Sequence, residues 1–237
     1  MPNCFDGHSA CNDTAGSTSR EPAMTLSIVI PCYNEAGNII DAVNMIASGV
    51  DPDVEYEIIL VDDGSVDESK EVIRGLLATN GNVRAVFHPE NIGKGGALRS
   101  GFEHARMEWI LSMDADLQID ISELGSFLPL CSEYDIVTGY RTGRNDGVTR
   151  RVVSKVYNFL VSTIVGTTIR DVGCPFKLLK TSVVRNMQLK SSGFAIDAEI
   201  FQSARMHDYR IKELPVSCRP RQKGKSSVRI RHLFETL

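Results

Sequence analysis

An α/β fold, with a mostly parallel sheet covered by helices on both faces, is predicted by two features of this sequence. Short apolar runs alternate with amphipathic stretches from Leu26 onward, the pattern of strands joined by crossover helices. Polar clusters, "PCYNE", "DDGS" and "DADLQ", close three of the apolar runs. Parallel sheets of this kind bind ligands at the carboxyl ends of their strands.

The elements follow in order. "LSIVIP" reads as a strand, and "NEAGNIIDAVNMIAS" as a helix with Asn34 as N-cap before apolar positions 39, 40, 43 and 46. "YEIILVDD" is the next strand. "GSVDESKEVIRGLLAT" is a helix in which Ser65 and Glu68 have capping-box spacing. "VRAVFH" is a strand, "KGGALRSGFEHAR" a helix and "EWILSMDAD" a strand. Beyond Asp120 the pattern loosens: "DIVTGYR" reads as a strand, and an amphipathic stretch runs from Arg150 to about Thr167. "CPFKLLK" is then a strand, "FAIDAEIFQSARMH" a helix and "IKELPVS" a last strand.

Residues 1–24 are rich in Ser, Thr, Asn, Asp and Gly without hydrophobic periodicity and read as a disordered extension. No linker or internal repeat follows, so residues 25–237 are expected to form one domain, with a nucleotide-binding half (25–120) and an acceptor half (121–237) on a shared sheet. "VRIRHLFETL" reads as a helix just begun, so continuation beyond Leu237 is expected.

At 237 residues, 42% hydrophobic and 24% charged, the composition is that of a soluble globular protein. The net charge of −4 gives no general attraction to nucleic acid or anionic lipid. The six cysteines form no C-x-x-C pair and no zinc spacing, as expected of reduced thiols in a cytoplasmic protein. No apolar run reaches the ~18 to 20 residues that span a bilayer.

The clusters carry the chemistry. If the chain stays extended through "LSMDADLQID", alternation brings Asp114, Asp116 and Gln118 to one face. Two carboxylates and an amide are hard oxygen ligands suited to Mg²⁺ or Mn²⁺, which keep several waters and bridge to substrate phosphates. In "PCYNE", Tyr33 offers an aromatic face to a base and Glu35 a carboxylate to base or ribose donors. Asp63 of "DDGS" either caps and solvates a turn or accepts from a nucleobase or ribose. "NIGKGGALRSG" lacks the G-x-x-x-x-G-K-[ST] spacing and reads as a turn passing close to a nucleotide, with Lys94 among the donor-binding candidates. Arg141, Arg144, Arg150 and Arg151, and a second cluster of Arg219, Arg221, Lys223 and Lys225, are either solvated faces or neutralise a donor pyrophosphate and an anionic acceptor. Asp171, Asp197 and Glu199 are the carboxylates available as a general base for a hydroxyl acceptor.

On the segments "IPCYNE", "VDDGSVDES", "NIGKGGALRSG", "MDADLQ", "TGYR" and "RQKGKSS", in this order over residues 26 to 227, the chain resembles the family 2 glycosyltransferases, and within them the dolichol- and other polyprenol-phosphate glycosyltransferases. The resemblance implies a GT-A fold with a Rossmann-like sheet. It further implies metal-dependent inverting transfer from a nucleotide sugar (GDP-mannose or a UDP-sugar) to a polyprenol phosphate at a cytoplasmic membrane face. Pro31, Tyr33, Glu35, Val61 and Asp63 would hold the nucleotide. Asp114, Ala115 and Asp116 would sit beside the pyrophosphate, with Asp116 and Gln118 on the metal and Arg141 and Arg221 on the phosphates. A sugar or other hydroxyl acceptor, and a catalytically idle nucleotide-sugar-binding scaffold, are the alternative readings.

Three departures stand out. "IDIS" follows Gln118 where the subgroup has His and Pro; Ser226 and Ser227 stand where it has Ser and Lys, leaving Lys223 or Lys225 to serve; and "GCPFK" carries Lys177 in place of Arg.

Overall fold

The first strand is apolar almost throughout because both of its faces are covered. In the computed structural model, which describes residues 24–143, 166 and 168–220, β1 (Met24–Cys32) alternates its side chains between two cores. Leu26, Ile28, Ile30 and Cys32 face Ile39, Val43 and Ile46 of α1 (Ala36–Gly49) and Ile73 of α2 (Ser69–Thr79). Val29 faces the other way, with Val61 of β2 (Val54–Asp62), toward Ala97, Leu98 and Phe102 of α3 (Lys94–His104). Each such Ile, Val or Leu contributes roughly 1.5–3 kcal/mol by leaving water, so the two-sided burial of the central strands dominates the stability of this layer.

The remaining elements are β3 (Val83–Phe87), β4 (Trp109–Ser112), α4 (Leu124–Phe127) between short 3₁₀ turns, β5 (Ile136–Thr142), β6 (Lys177–Lys180), α5 (Thr181–Asn186), α6 (Ala195–Met206) and β7 (Ile211–Ser217). Among the described residues seven strands form one sheet in the order β3-β2-β1-β4-β6-β5-β7. All neighbours are parallel except the two pairs made by β6, which runs antiparallel to β4 and β5. The expected mostly parallel sheet with helices on both faces is therefore found, β1 to β4 coming from residues 24–112 and β5 to β7 from residues 136–217. Phe127 meets Phe176 edge-on, centroids 5.1 Å apart, and closes the core where the later strands join.

Three local expectations are corrected. Met24 belongs to β1, in register with Val54, rather than to an extension. Asn34 does not cap α1: it adopts φ 55°, and Glu35 stands at the cap position. The Asn34 side chain instead accepts from the Val66 N–H (2.9 Å), stapling the loop after β1 to the loop after β2. Ser65 and Glu68 do not form a capping box, because Ser65 accepts from the Asn34 N–H (3.0 Å) and Asp67 takes the Ser69 N–H (3.0 Å). In both cases a contact some thirty residues away outcompetes the local one.

Strand β4 also stops early. Its pairing ends at Ser112, opposite Val29 and Lys177, and Leu117 takes φ 60°, which no extended strand contains. Asp114, Asp116 and Gln118 therefore sit on a turn, not on alternate positions of a strand. Residues 1–23, 221–237 and, apart from Gly166, the amphipathic stretch expected over 150–167 lie outside the described residues. Among the described residues, Cys32, Cys131 and Cys174 are free thiols, and no helix is long and apolar enough to cross a membrane.

Candidate active site

The carboxyl ends of β1, β2 and β4 lie side by side, with Pro31 opposite Val61 and Cys32 opposite Asp62 in register. The segments that leave β1 and β2 are tied together by four hydrogen bonds: Asn34 N–H to Ser65, Glu35 N–H to Ser69, Ala36 N–H to Asp67 and Val66 N–H to Asn34. This stitching leaves Tyr33 on the surface at 39% exposure, its ring available for stacking. Glu35 accepts from the Asn38 side chain (2.5 Å). The Val61 side chain is core, so only its main chain can face a ligand.

The two aspartates of "DDGS" part company. Asp63 is buried and its oxygens accept from the Ile92 N–H (3.0 Å) and the Gly93 N–H (2.9 Å), while His88 Nδ1 lies at 2.8 Å. His88 Nε2 in turn meets Ser100 Oγ at 2.9 Å. Asp63 therefore frames the loop before α3. Gly64 turns at φ 68°, where a Cβ would overlap the backbone of Glu90 and Asn91, so glycine is required for the two loops to cross. Asp62, which the sequence reading passed over, is fully buried with neither carboxylate oxygen hydrogen-bonded among the described residues. Its nearest countercharge is Lys70 Nζ at 3.8 Å. A doubly unmatched carboxylate at a strand end is the kind of cost that folds carry at binding sites.

Around the "DADLQ" turn three ion pairs converge. Lys94 Nζ meets Asp114 Oδ1 at 2.9 Å. Burial opposes the charge on Asp114, but Lys94, and then Arg141 and Lys177, outweigh it and hold the carboxyl below its usual range. Lys94 is held more basic than usual in turn, burial being outweighed by Asp114 and Asp197. Arg141 grips Asp171 bidentately, Nε to Oδ2 at 2.7 Å and Nη2 to Oδ1 at 2.8 Å, and its own N–H also donates to Oδ2 at 3.2 Å. Lys177, 1% exposed, donates to Asp197 at 2.7 Å and to the Cys174 carbonyl. Lys177 opens β6 opposite Ser112 and Thr138, so it sits under the end of β4.

The three carboxylates considered as general bases are thus all engaged. Asp171 and Asp197 carry cations, and Glu199 accepts from the backbone N–H groups of Lys190 and Ser191 at 2.7 and 2.9 Å. Ala115 is buried in the core beneath the turn. Asp116 accepts from the Gln118 N–H (3.3 Å), and Gln118 donates its amide N–H to the Arg219 carbonyl (3.3 Å). Arg219 returns its N–H to the Gln118 carbonyl (2.7 Å) and reaches Asp120 at 2.8 Å. The start of the second basic cluster is thereby docked on the turn. The Asp120 of "IDIS" both caps the following 3₁₀ turn through the Ser122 N–H and anchors that arginine. Arg221 and Lys225 lie outside the described residues.

A divalent ion fits this turn on one observation: an Asp114 oxygen already holds an ammonium group at 2.9 Å, so the position draws positive charge. Among the described residues no group of three His, Cys, Asp or Glu forms a ready cage. Asp114, Asp116 and the Gln118 amide oxygen would supply part of a coordination sphere, leaving the rest to water and ligand oxygens, as suits Mg²⁺ or Mn²⁺.

Comparison with known proteins places the chain in a family and a fold. The chain is 32% identical over 218 residues to the undecaprenyl-phosphate 4-deoxy-4-formamido-L-arabinose transferase of Edwardsiella ictaluri, covering 90% of this chain and 65% of that protein. It is 29% identical over 227 residues to the dodecaprenyl-phosphate galacturonate synthase of Rhizobium johnstonii, covering 94% and 67%. The chain thus spans about two thirds of the length of these relatives. Among solved structures, glucosyl-3-phosphoglycerate synthase from Mycobacterium tuberculosis, in complex with Mn²⁺, UDP and glucosyl-3-phosphoglycerate, superposes with a TM-score of 0.66 at 16% identity over 86% of this chain and 74% of that one. That likeness establishes the GT-A fold. Residues 27–187 match the family description "Glycosyl transferase family 2", and the chain belongs to that family.

Proposed function

We propose that this chain transfers a sugar from a nucleotide sugar to a polyprenol phosphate, in a metal-dependent inverting single displacement at the cytoplasmic face of a membrane. The observation that carries the acceptor class is the set of ion pairs Lys94–Asp114, Arg141–Asp171 and Lys177–Asp197. Each of the three carboxylates considered for deprotonating a hydroxyl, Asp171, Asp197 and Glu199, is bound to a cation or to backbone N–H groups. A phosphate acceptor is already ionised near pH 7 and asks for no base. The polyprenol-phosphate relatives support the same reading.

In this mechanism Tyr33 stacks on the base, and the edge from Pro31 to Glu35, with the Val61 main chain, lines the nucleotide. Asp62 and Asp63 take unequal parts, Asp63 fixing the loop and Asp62 supplying the unmatched acceptor. Asp114, Asp116 and Gln118 would hold Mg²⁺ or Mn²⁺, which when bound supplies Lewis-acid stabilisation of the charge developing on the nucleoside diphosphate. Arg141, oriented by Asp171, faces the phosphates, with Arg221 and Lys225 as further candidates for them. The acceptor phosphate oxygen forms its bond to the anomeric carbon from one face while the bond to the diphosphate breaks on the other, and the electron pair leaves with the nucleoside diphosphate.

The test is release of nucleoside diphosphate from a panel of GDP- and UDP-sugars, with Mg²⁺ or Mn²⁺, with and without a short polyprenol phosphate. Release that depends on the lipid phosphate is the expected result. Turnover with sugar hydroxyl acceptors alone would move the assignment to a hydroxyl-directed enzyme, and binding without turnover of any donor would make the chain a scaffold.

A further inference from the structure

Lys94 differs from the other two cations near the turn. Arg141 and Lys177 act on Asp114 from a distance, but each is in contact with a carboxylate of its own. The ion pair of Lys94 is with Asp114 itself, and its side chain is only 16% exposed. Its origin is clamped on two sides. The Ile92 and Gly93 N–H groups are held by Asp63, which is backed by His88 and Ser100. On the other side the Gly96 N–H donates to the Ser192 carbonyl at 3.0 Å, and Gly93, at φ 90°, passes so close that a Cβ would lie 2.6 Å from that same oxygen. The backbone of residue 94 is thus fixed while four flexible methylenes carry its charge to Asp114. A fixed base with a swinging tip suits a charge that must change partners.

We propose that Lys94 is an internal counter-ion that occupies Asp114 in place of a divalent cation, and that it turns to the donor diphosphate when that cation arrives. This rests on the metal and nucleotide-sugar reading given above and deepens it. Before binding, Asp114 is neutralised by Lys94 and competes poorly for a free ion. A diphosphate gives Lys94 a new anionic partner and releases Asp114. Cation and diphosphate then assist each other's binding by the same factor, since coupling between two ligands is reciprocal.

Mn²⁺ binding to the full chain, read from the free-ion electron paramagnetic resonance signal with and without UDP or GDP, tests this without any turnover. The wild type should bind Mn²⁺ weakly alone and roughly fivefold or more tightly with the diphosphate. Lys94→Met should bind Mn²⁺ alone roughly fivefold more tightly than wild type and lose most of the coupling. Lys94→Arg, which keeps the charge, should resemble wild type toward Mn²⁺ alone. If Lys94→Met shows a collapsed thermal transition, Lys94→Gln takes its place. Coupled binding in the wild type with no gain in either neutral variant overturns the counter-ion role alone, as does absence of coupling in a wild type that binds Mn²⁺. Absence of Mn²⁺ binding under every condition overturns the metal reading and the counter-ion role together.

Discussion

Strand β2 carries a buried carboxylate toward each end, and the two are treated in opposite ways. Glu57, on the amino-terminal side, accepts from Ser27 Oγ (2.7 Å), from the Arg106 N–H (2.9 Å) and from Arg84 (2.8 Å). Asp62, five residues on, has no hydrogen bond to either oxygen among the described residues and only Lys70 at 3.8 Å. The same strand, with comparable burial, is saturated where the chain only needs to hold together and unmatched where ligands are expected. Electrostatic cost has been removed from one end of the sheet and retained at the other.

Substitutions at the two ends should therefore separate function from stability. The largest effect is expected from Asp116→Ala on the turn after β4: metal-dependent turnover should fall by about a thousandfold, as befits loss of a ligand stabilising leaving-group charge, with the melting temperature little changed. Retained turnover would remove Asp116 from the site.

Glu57→Ala should do the reverse. It leaves Arg84 without its carboxylate and the Ser27 hydroxyl without its acceptor, and leaves the Arg106 N–H only its longer bond to Ser27 Oγ (3.2 Å), at a cost of about 3 kcal/mol in chemical denaturation, while the folded fraction keeps its kcat. Acid should report on the same group. Burial raises the Glu57 pKa, but the hydrogen bonds from Arg84, Ser27 and Arg106 outweigh it and hold the carboxyl below its ordinary 4.5. A depressed pKa contributes stability that is present above the unfolded value and lost as pH falls through the folded one. The variant should accordingly lose less stability than wild type on going from about pH 6 to about pH 3.

The smallest effect is also the most discriminating. Asp62→Asn removes a buried charge without a hydrogen-bonding partner, and should stabilise the fold by about 1 kcal/mol while weakening nucleotide-sugar binding in a calorimetric titration. A loss of stability would mean that Lys70 satisfies this carboxylate in full and that β2 is a structural strand at both ends.

Much of this molecule was legible before any coordinates. "IKELPVS" is β7 residue for residue, and the three polar clusters do close β1, β2 and β4. The failures share one cause. Asn34, Ser65 and Glu68 have sound capping patterns, yet the bonds of Asn34 and Ser65 run between the loops after β1 and β2 and Glu68 makes no side-chain cap bond. "DADLQ" has the alternation of a strand, yet its pairing partners end at Ser112 and the turn is shaped by Arg219, a hundred residues later. Asp171 and Asp197 looked available as bases because nothing nearby in the chain announced Arg141 or Lys177 as their partners.

Periodicity and composition set the succession of strands and helices here, because which face of an element is buried depends on a pattern repeated every two or four residues. They also set which residue types stand at the strand ends. Which carboxylate meets which cation was settled by folding, because an ion pair depends on where two distant backbones are held, to within an ångström, by the packing of everything between them. In this chain that distinction separates Asp63, a strut of the loop before α3, from its neighbour Asp62, and it puts Lys94 on Asp114 where the sequence had offered Lys94 only as a donor-binding candidate on a glycine-rich turn.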